Sequence, residues 1–232
     1  MPNYGCWQSV EATSVLVQPD GKVLVGGKAW TTIYGDEWSY DVVRPFLGRF
    51  ETNGSLDWSF TAGTNYSDSC MARQPDGKIL LGGDEGISRL NTDGTLDPSF
   101  NAGAIGSVRS IALQPDGKLV LGGAFYVLQG TNHSGVLRLN ANGSIDGSFN
   151  YGPTVSGPVH SVALRRDGKV LVGGDCHILI GTNYIYGITR RNADGSLDAN
   201  FNPGTSWGGA VRSIAVQTDG NVLISGNFTT VK

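Results

Sequence analysis

The chain has 232 residues, 39% hydrophobic and only 16% charged, with 35 glycines; this is a folded composition dense in turns, and it excludes simple disorder. The 17 basic and 20 acidic residues leave a formal net charge of -3, so no overall pull toward nucleic acid or an anionic membrane is expected. No apolar stretch approaches the roughly 18 residues of a membrane span, and Met1 to Gly5 opens no secretory signal, so a soluble chain without membrane insertion is expected.

Two sequence units alternate along the chain. The first reads Ser-Val-Leu-Val-Gln-Pro-Asp-Gly-Lys-Val-Leu-Val-Gly-Gly from Ser14 to Gly27 and returns around residues 74–83, 114–123, 165–174 and 217–226. The second occupies residues 51–60, 91–100, 140–149 and 192–201, where the last copy reads Asn-Ala-Asp-Gly-Ser-Leu-Asp-Ala-Asn-Phe. The turn aspartates Asp20, Asp76, Asp116, Asp167 and Asp219 are offset by 56, 40, 51 and 52 residues, so the period varies with the inserts. Short Val, Ile and Leu runs between Pro-Asp-Gly, Asn-Gly and Asp-Gly pairs predict antiparallel strands joined by tight turns, with almost no helix.

In chain order the predicted sheets cover approximately residues 9–60, 66–100, 106–149 and 157–201, followed by a half unit over 209–232, all within a single repeat domain. The third parses most cleanly: strand one over 108–114, strand two over 119–125, strand three over 135–140 and strand four over 144–149. Four antiparallel strands at this period predict an all-β fold, a five-bladed β-propeller with four-stranded blades and an incomplete last blade. Val15, Ile111, Val162 and Ile214 hold comparable first-strand positions and are the predicted inner packing residues. The Gly-Gly after strand two fits either close packing between sheets or a bulge. Five first units against four second units predict either a segment of a longer repeat protein or self-association through the incomplete blade.

The paired signatures Gln-Pro-Asp-Gly-Lys-x-Leu-x-Gly-Gly, clear at 114–123, and Arg-Leu-Asn-x-Asp-Gly-Ser-Leu-Asp-x-Ser-Phe, clear at 89–100 apart from a Thr in place of the Ser, resemble the delta-60 repeat of bacterial proteins. The resemblance spans nearly the whole chain. It implies a β-propeller-like repeat protein of the kind found within large exported or surface polypeptides, hence an extracellular or cell-surface setting, and it implies no common chemistry.

If strand one lies near the axis, the short Asp-Gly turns gather on one face and the irregular loops on the other, where function is expected. That face holds Trp30, Tyr34, Trp38, Tyr40, Tyr66, Tyr126, Tyr151, Tyr184, Tyr186 and Trp207. An exposed ring can stack on a sugar or anchor a protein surface, so a lectin-like, adhesive binding module for a glycan or protein partner is the leading expectation, with ring packing along the blade edges as the plain alternative. A purely structural segment of a larger surface polypeptide is the second reading.

Weaker chemical signals are present. Asn192, Asp194 and Asp198 space side-chain oxygens as calcium loops do, although no bidentate Glu follows; the same residues are good turn formers, and no cofactor is otherwise expected. Cys6, Cys70 and Cys176 form no disulfide framework, and Cys176 beside His177, with His133 elsewhere, is a thin thiol or metal motif. Some five-bladed propellers are glycoside hydrolases built on paired carboxylates; here the candidates are Glu11, Asp68, Asp84, Glu85 and Asp175, of which Asp84 and Asp175 both follow a Gly-Gly pair.

Overall fold

The computed structural model describes residues 9–34, 39–62, 68–103, 105–125, 127–128, 131–132, 135–151, 155–180, 183–201 and 209–227. These contain strands and no helix, as the turn density predicts, and none of the chain described here forms a helix long and apolar enough to cross a membrane.

The chain divides into two compact units, one of residues 1–84 and 88–98, the other of residues 85–87 and 99–232. The first unit holds the sheet of β1 (Ser9–Val17), β2 (Val23–Tyr34) and β3 (Ser39–Phe50). It also holds most of the sheet of β4 (Asp68–Arg73), β5 (Ile79–Gly83) and β6 (Gly86–Leu90). The second unit holds β7 (Gly106–Leu113) and β8 (Leu119–Phe125), then the short pair β9 (Val127–Leu128) and β10 (Thr131–Asn132), and β11 (Val136–Leu139), which returns to pair with β8. It continues with the sheet of β12 (Val159–Leu164), β13 (Val170–Ile180) and β14 (Asn183–Arg191), and the pair β15 (Val211–Val216) and β16 (Val222–Gly226). Apart from the β9–β10 pair, which lies between β8 and β11, each sheet is complete before the next begins.

Each first-unit turn closes the same way. In the third copy Gln114 N–H donates to Lys118 O, Gly117 N–H donates to Gln114 O, and Gly117 sits at φ 83°, which its missing side chain permits. Asp116 caps the turn by accepting the Lys118 N–H at 3.1 Å.

Three of the four strands expected per blade form, and the fourth is a correction. The segment predicted as strand 144–149 makes one bridge, Leu139 to Ile145, and then turns. The reason is Asp146: its Oδ1 accepts the Ser148 N–H and hydroxyl at 3.0 and 2.6 Å, and this Asx turn ends the extended run. The same bridge occurs at Phe50–Leu56, Leu90–Leu96 and Arg191–Leu197.

The Gly-Gly pair serves both of its expected purposes, one glycine each. A β-carbon on Gly122 would lie 2.7 Å from Val159 Cγ1 and 2.9 Å from Val162 Cγ1 of the following sheet, so the first glycine admits that neighbour. A β-carbon on Gly123 would overlap the Ser107 carbonyl of its own sheet, so the second glycine admits a bulge in the first strand. Gly173 and Gly174 repeat the arrangement against Val211 with Ile214, and against Pro158 O.

Of the predicted inner residues, Val162 and Ile214 are buried and Ile111 is half-buried, but Val15 is 61% exposed. Val162 and Ile214 are covered by the sheet that precedes them, against Gly122 and Gly173, whereas no sheet precedes β1 among the described residues. In the second unit the core joins Val120, Val136, Val159, Val162 and Val172, and a neighbouring cluster joins Leu171, Ile188, Val211 and Ile214. In the first unit Leu24, Ile79, Leu81 and Leu90 pack with Phe60.

Candidate functional site

The most regular polar feature is an ion-pair latch built four times. The aspartate of each Ser/Thr-Leu/Ile-Asp run accepts from the Lys of the preceding Asp-Gly-Lys turn and from an Arg near the end of the third strand. The sets are Lys22 and Arg49 on Asp57, Lys78 and Arg89 on Asp97, Lys118 and Arg138 on Asp146, and Lys169 and Arg190 on Asp198, at 2.7 to 2.8 Å. Each aspartate is buried, and such a group needs these partners. The Arg138 guanidinium also lies 4.4 Å over the Phe149 ring and donates from Nη1 to Ala193 O in the next repeat at 2.8 Å. Arg49 does the same over Phe60 and to Thr92 O, both within the first unit.

The oxygens of the calcium-like motif have partners within the chain. Asp198 is held by Lys169, whose hydrogen bond, joined by that of Arg190, outweighs burial and lowers its carboxyl to about 2. The Lys22 ammonium and the Ser59 hydroxyl likewise hold Asp57 well below the usual carboxylate range. Burial opposes ionisation of Asp146, yet Lys118 and Ser148 keep it far below that range. Asp194 accepts from the Ser196 N–H and hydroxyl at 2.9 and 2.7 Å, and Asn192 Nδ2 donates to Ser196 Oγ at 3.0 Å. These oxygens therefore serve the turn and the latch, and no group of three His, Cys, Asp or Glu side chains suited to a metal occurs among the described residues.

A second polar feature shares one backbone position and varies its side chain. Every first strand carries one extra residue where the ladder skips: Thr13 in β1, Ser69 in β4, Arg109 in β7, His160 in β12 and Arg212 in β15. In the second unit these strands are neighbours, since Val162 N–H donates to Ser110 Oγ at 3.0 Å and Ile214 N–H to Ser161 Oγ at 3.1 Å. Their bulge side chains meet. Arg109 Nη1 lies 3.1 Å from His160 Nδ1, and Arg212 Nη1 lies 2.7 Å from His160 Nε2. Asp175, on β13 just past the Gly-Gly, brings Oδ2 to 3.2 Å from His160 Nε2 and 3.5 Å from Arg212 Nη2.

Asp175, predicted as a carboxylate of a catalytic pair, is thus engaged with an imidazole and a guanidinium. Asp84 and Glu85 are exposed after β5, and Glu11 is exposed on β1. The Asp68 side chain lies outside the described residues. Sequence reasoning missed Arg109, His160 and Arg212, although Val-Arg-Ser, Val-His-Ser and Val-Arg-Ser recur at 108–110, 159–161 and 211–213.

A third feature is aromatic. Beyond Gly174, β13 and β14 continue as a two-stranded ribbon in which His177 pairs with Tyr186 and Leu179 with Tyr184. Tyr184 and Tyr186 are two residues apart, hence on one face, and their ring centroids are 5.9 Å apart. The His177 ring lies edge-on to Tyr184 at 5.3 Å and tilted against Tyr186 at 5.6 Å. Both tyrosines are exposed, at 47% and 44%. His177 therefore supports the tyrosines, and this is where the Cys176–His177 motif leads; the Cys176 side chain lies outside the described residues.

Of the other predicted aromatics, Trp30 is half-buried on β2, and Tyr151 packs edge-on to Phe149 at 5.2 Å. Trp38, Tyr66, Tyr126 and Trp207 lie outside the described residues, as do Cys6, His133 and the side chains of Tyr34 and Tyr40. The structure brings together Tyr184 and Tyr186 alone among the predicted ligand-binding residues it describes on this ribbon.

The model of the β-propeller domain of unknown function DUF5122 matches residues 18–60, 74–100, 114–149 and 165–201. No curated protein sequence matches the chain. Among solved structures, a gluconolactonase from Xanthomonas campestris is similar at 13% sequence identity over 97% of this chain and 84% of that one, with a TM-score of 0.52. A virginiamycin B lyase from Staphylococcus aureus is similar at 12% identity over 99% of this chain and 74% of that one, with a TM-score of 0.45. At 13% identity the likeness to the gluconolactonase concerns the fold alone.

Proposed function

The chain belongs to the DUF5122 β-propeller family, and from that premise we propose a non-enzymatic binding module that recognises a glycan through the tyrosine ribbon of β13 and β14. The observation that carries this reading is the exposed Tyr184–Tyr186 pair held in place by His177. Large rings ordinarily bury themselves, and two of them packed against one imidazole on a paired ribbon lose less conformational freedom when a ligand arrives than free side chains would. A sugar ring presents an apolar C–H face that fits a phenol, while the phenolic hydroxyls and the imidazole supply hydrogen bonds at the edge. Among the described residues the patch is two rings wide, smaller than the ~800 Å² per partner that a stable protein interface needs, which favours a saccharide over a protein surface. A setting outside the cell, where glycans are displayed, belongs to the same proposal.

The test is a glycan array probed with the 232-residue chain and with Tyr184→Ala/Tyr186→Ala. Binding to a restricted set of glycans that disappears in the double variant, with the melting temperature retained, supports the reading. An array without signal, or binding indifferent to the two changes, removes it; turnover of a bound glycan, abolished by Asp175→Asn, replaces it with a hydrolase.

A further inference from the structure

We propose that Arg109, His160 and Arg212, together with Asp175, form a binding site for the carboxylate of a singly charged organic acid. The site uses neither tyrosine of the ribbon and does not depend on their binding a glycan.

The case begins with the backbone. Bulges re-aim one side chain per strand, and here three neighbouring strands aim theirs at one point. Position alone does not require cations there: the same bulge carries Thr13 in β1. Two guanidiniums gathered on one imidazole concentrate positive charge, and the ladder bonds of these strands are made by the backbone without them.

Donors outnumber acceptors within the cluster. Each guanidinium offers five N–H groups, and a neutral imidazole accepts at one nitrogen and donates at the other. An arginine nitrogen nevertheless faces each ring nitrogen, at 3.1 and 2.7 Å, so at most one of the two contacts can be a hydrogen bond to a neutral ring. With Nδ1 accepting from Arg109, the Nε2–H points to Asp175, and Arg212 is left to share that single carboxylate at 3.5 Å. The latch arginines behave differently: Arg138 distributes its donors over Asp146, Ala193 O and Ser148 Oγ. Among the described residues Arg109 and Arg212 reach no carbonyl oxygen. A further acceptor completes the arrangement.

Charge and access define that acceptor. Two guanidiniums against one carboxylate leave a single positive charge when the ring is neutral, which one monoanion balances, and the planar guanidinium fork matches a carboxylate. Asp175 raises the cost of a second negative charge, which disfavours a phosphate dianion. The His160 side chain is 12% exposed and forms the floor, whereas Asp175 and Arg212, each 47% exposed, form an open rim.

Isothermal titration of the full chain with glucuronate, lactate, glucose and inorganic phosphate tests this. Binding of an acid is expected, weakened about tenfold or more in Arg109→Gln/Arg212→Gln, and in the Tyr184→Ala/Tyr186→Ala chain it should occur without binding of glucose. Binding of both acids identifies the carboxylate alone as the determinant, and binding of glucuronate only identifies a sugar acid; each supports the site. Absence of acid binding, equal binding of glucose by the Tyr184→Ala/Tyr186→Ala chain, tighter binding of phosphate, or affinity unchanged in the Arg109→Gln/Arg212→Gln variant overturns it. Circular dichroism of the variant guards against misfolding, and Arg109→Lys/Arg212→Lys, which keeps charge but not the fork, should bind with intermediate affinity if the double Gln variant is unstable. Tyr184→Ala/Tyr186→Ala should leave this binding unchanged, which separates its failure from failure of the ribbon.

Discussion

The latch and the bulge are both repeated features, and they differ in what is repeated. At the latch the side chains recur: Lys, Arg and buried Asp return four times with the same distances. At the bulge the backbone recurs while the side chain changes from Thr13 to Arg109, His160 and Arg212. A repeated chain thus contains its own control. Residues needed to close a sheet must appear in every sheet, and residues that vary on an unchanged backbone are released from that duty. The comparison assigns the latch to stability and the bulge cluster to recognition.

The comparison can be broken at several points. Gly174→Ala should have the largest effect, because the new β-carbon meets Pro158 O and Val159 Cα, which are backbone and cannot step aside; a loss of about 3 kcal/mol or more is expected in denaturant unfolding. Asp146→Ala comes next. It strands the Arg138 cation against Phe149 and should cost about 3 kcal/mol, seen as a melting temperature lower by roughly 6 to 12 °C.

Acid should act through Asp57, Asp146 and Asp198. Their folded carboxyls are held below the ordinary value of about 3.9, so they contribute stability fully above that pH and lose it as pH falls toward the folded values, about 2 for Asp198. Melting temperatures measured from pH 5 to pH 2 should therefore fall below about pH 4, and less steeply in Asp198→Asn. A profile flat to pH 2 would show that the latch adds nothing to stability. The smallest effect is expected at the ribbon: Tyr184→Ala/Tyr186→Ala should change stability by no more than about 0.5 kcal/mol per residue.

Much of the fold was legible in the sequence because turn chemistry is local. Asp116 and Gly117 announce their turn, and the valines between such turns announce the strands. The fourth strand was misread because Asp146 sits at a strand-like spacing, whereas its Oδ1 binds Ser148 in a local turn and its Oδ2 is taken by Lys118 and Arg138, 28 and 8 residues away. The site was less legible. Tyr184 and Tyr186 stood out as aromatics of a long insert, but their support by His177 depends on strand register. Asp175 was noticed for its place after Gly-Gly, yet its partners come from two other strands, and only the bulge turns Arg109, His160 and Arg212 toward one another.

The separation of scaffold from site is tested most directly by Arg109→Thr/His160→Thr/Arg212→Thr, which gives three bulges the residue that β1 carries at Thr13. Thermal melting of this variant should remain cooperative and fall within about 5 °C of the parent chain, while the heat of carboxylate binding vanishes. A melting temperature lowered as far as by Asp146→Ala, or carboxylate binding that survives the triple change, would contradict it.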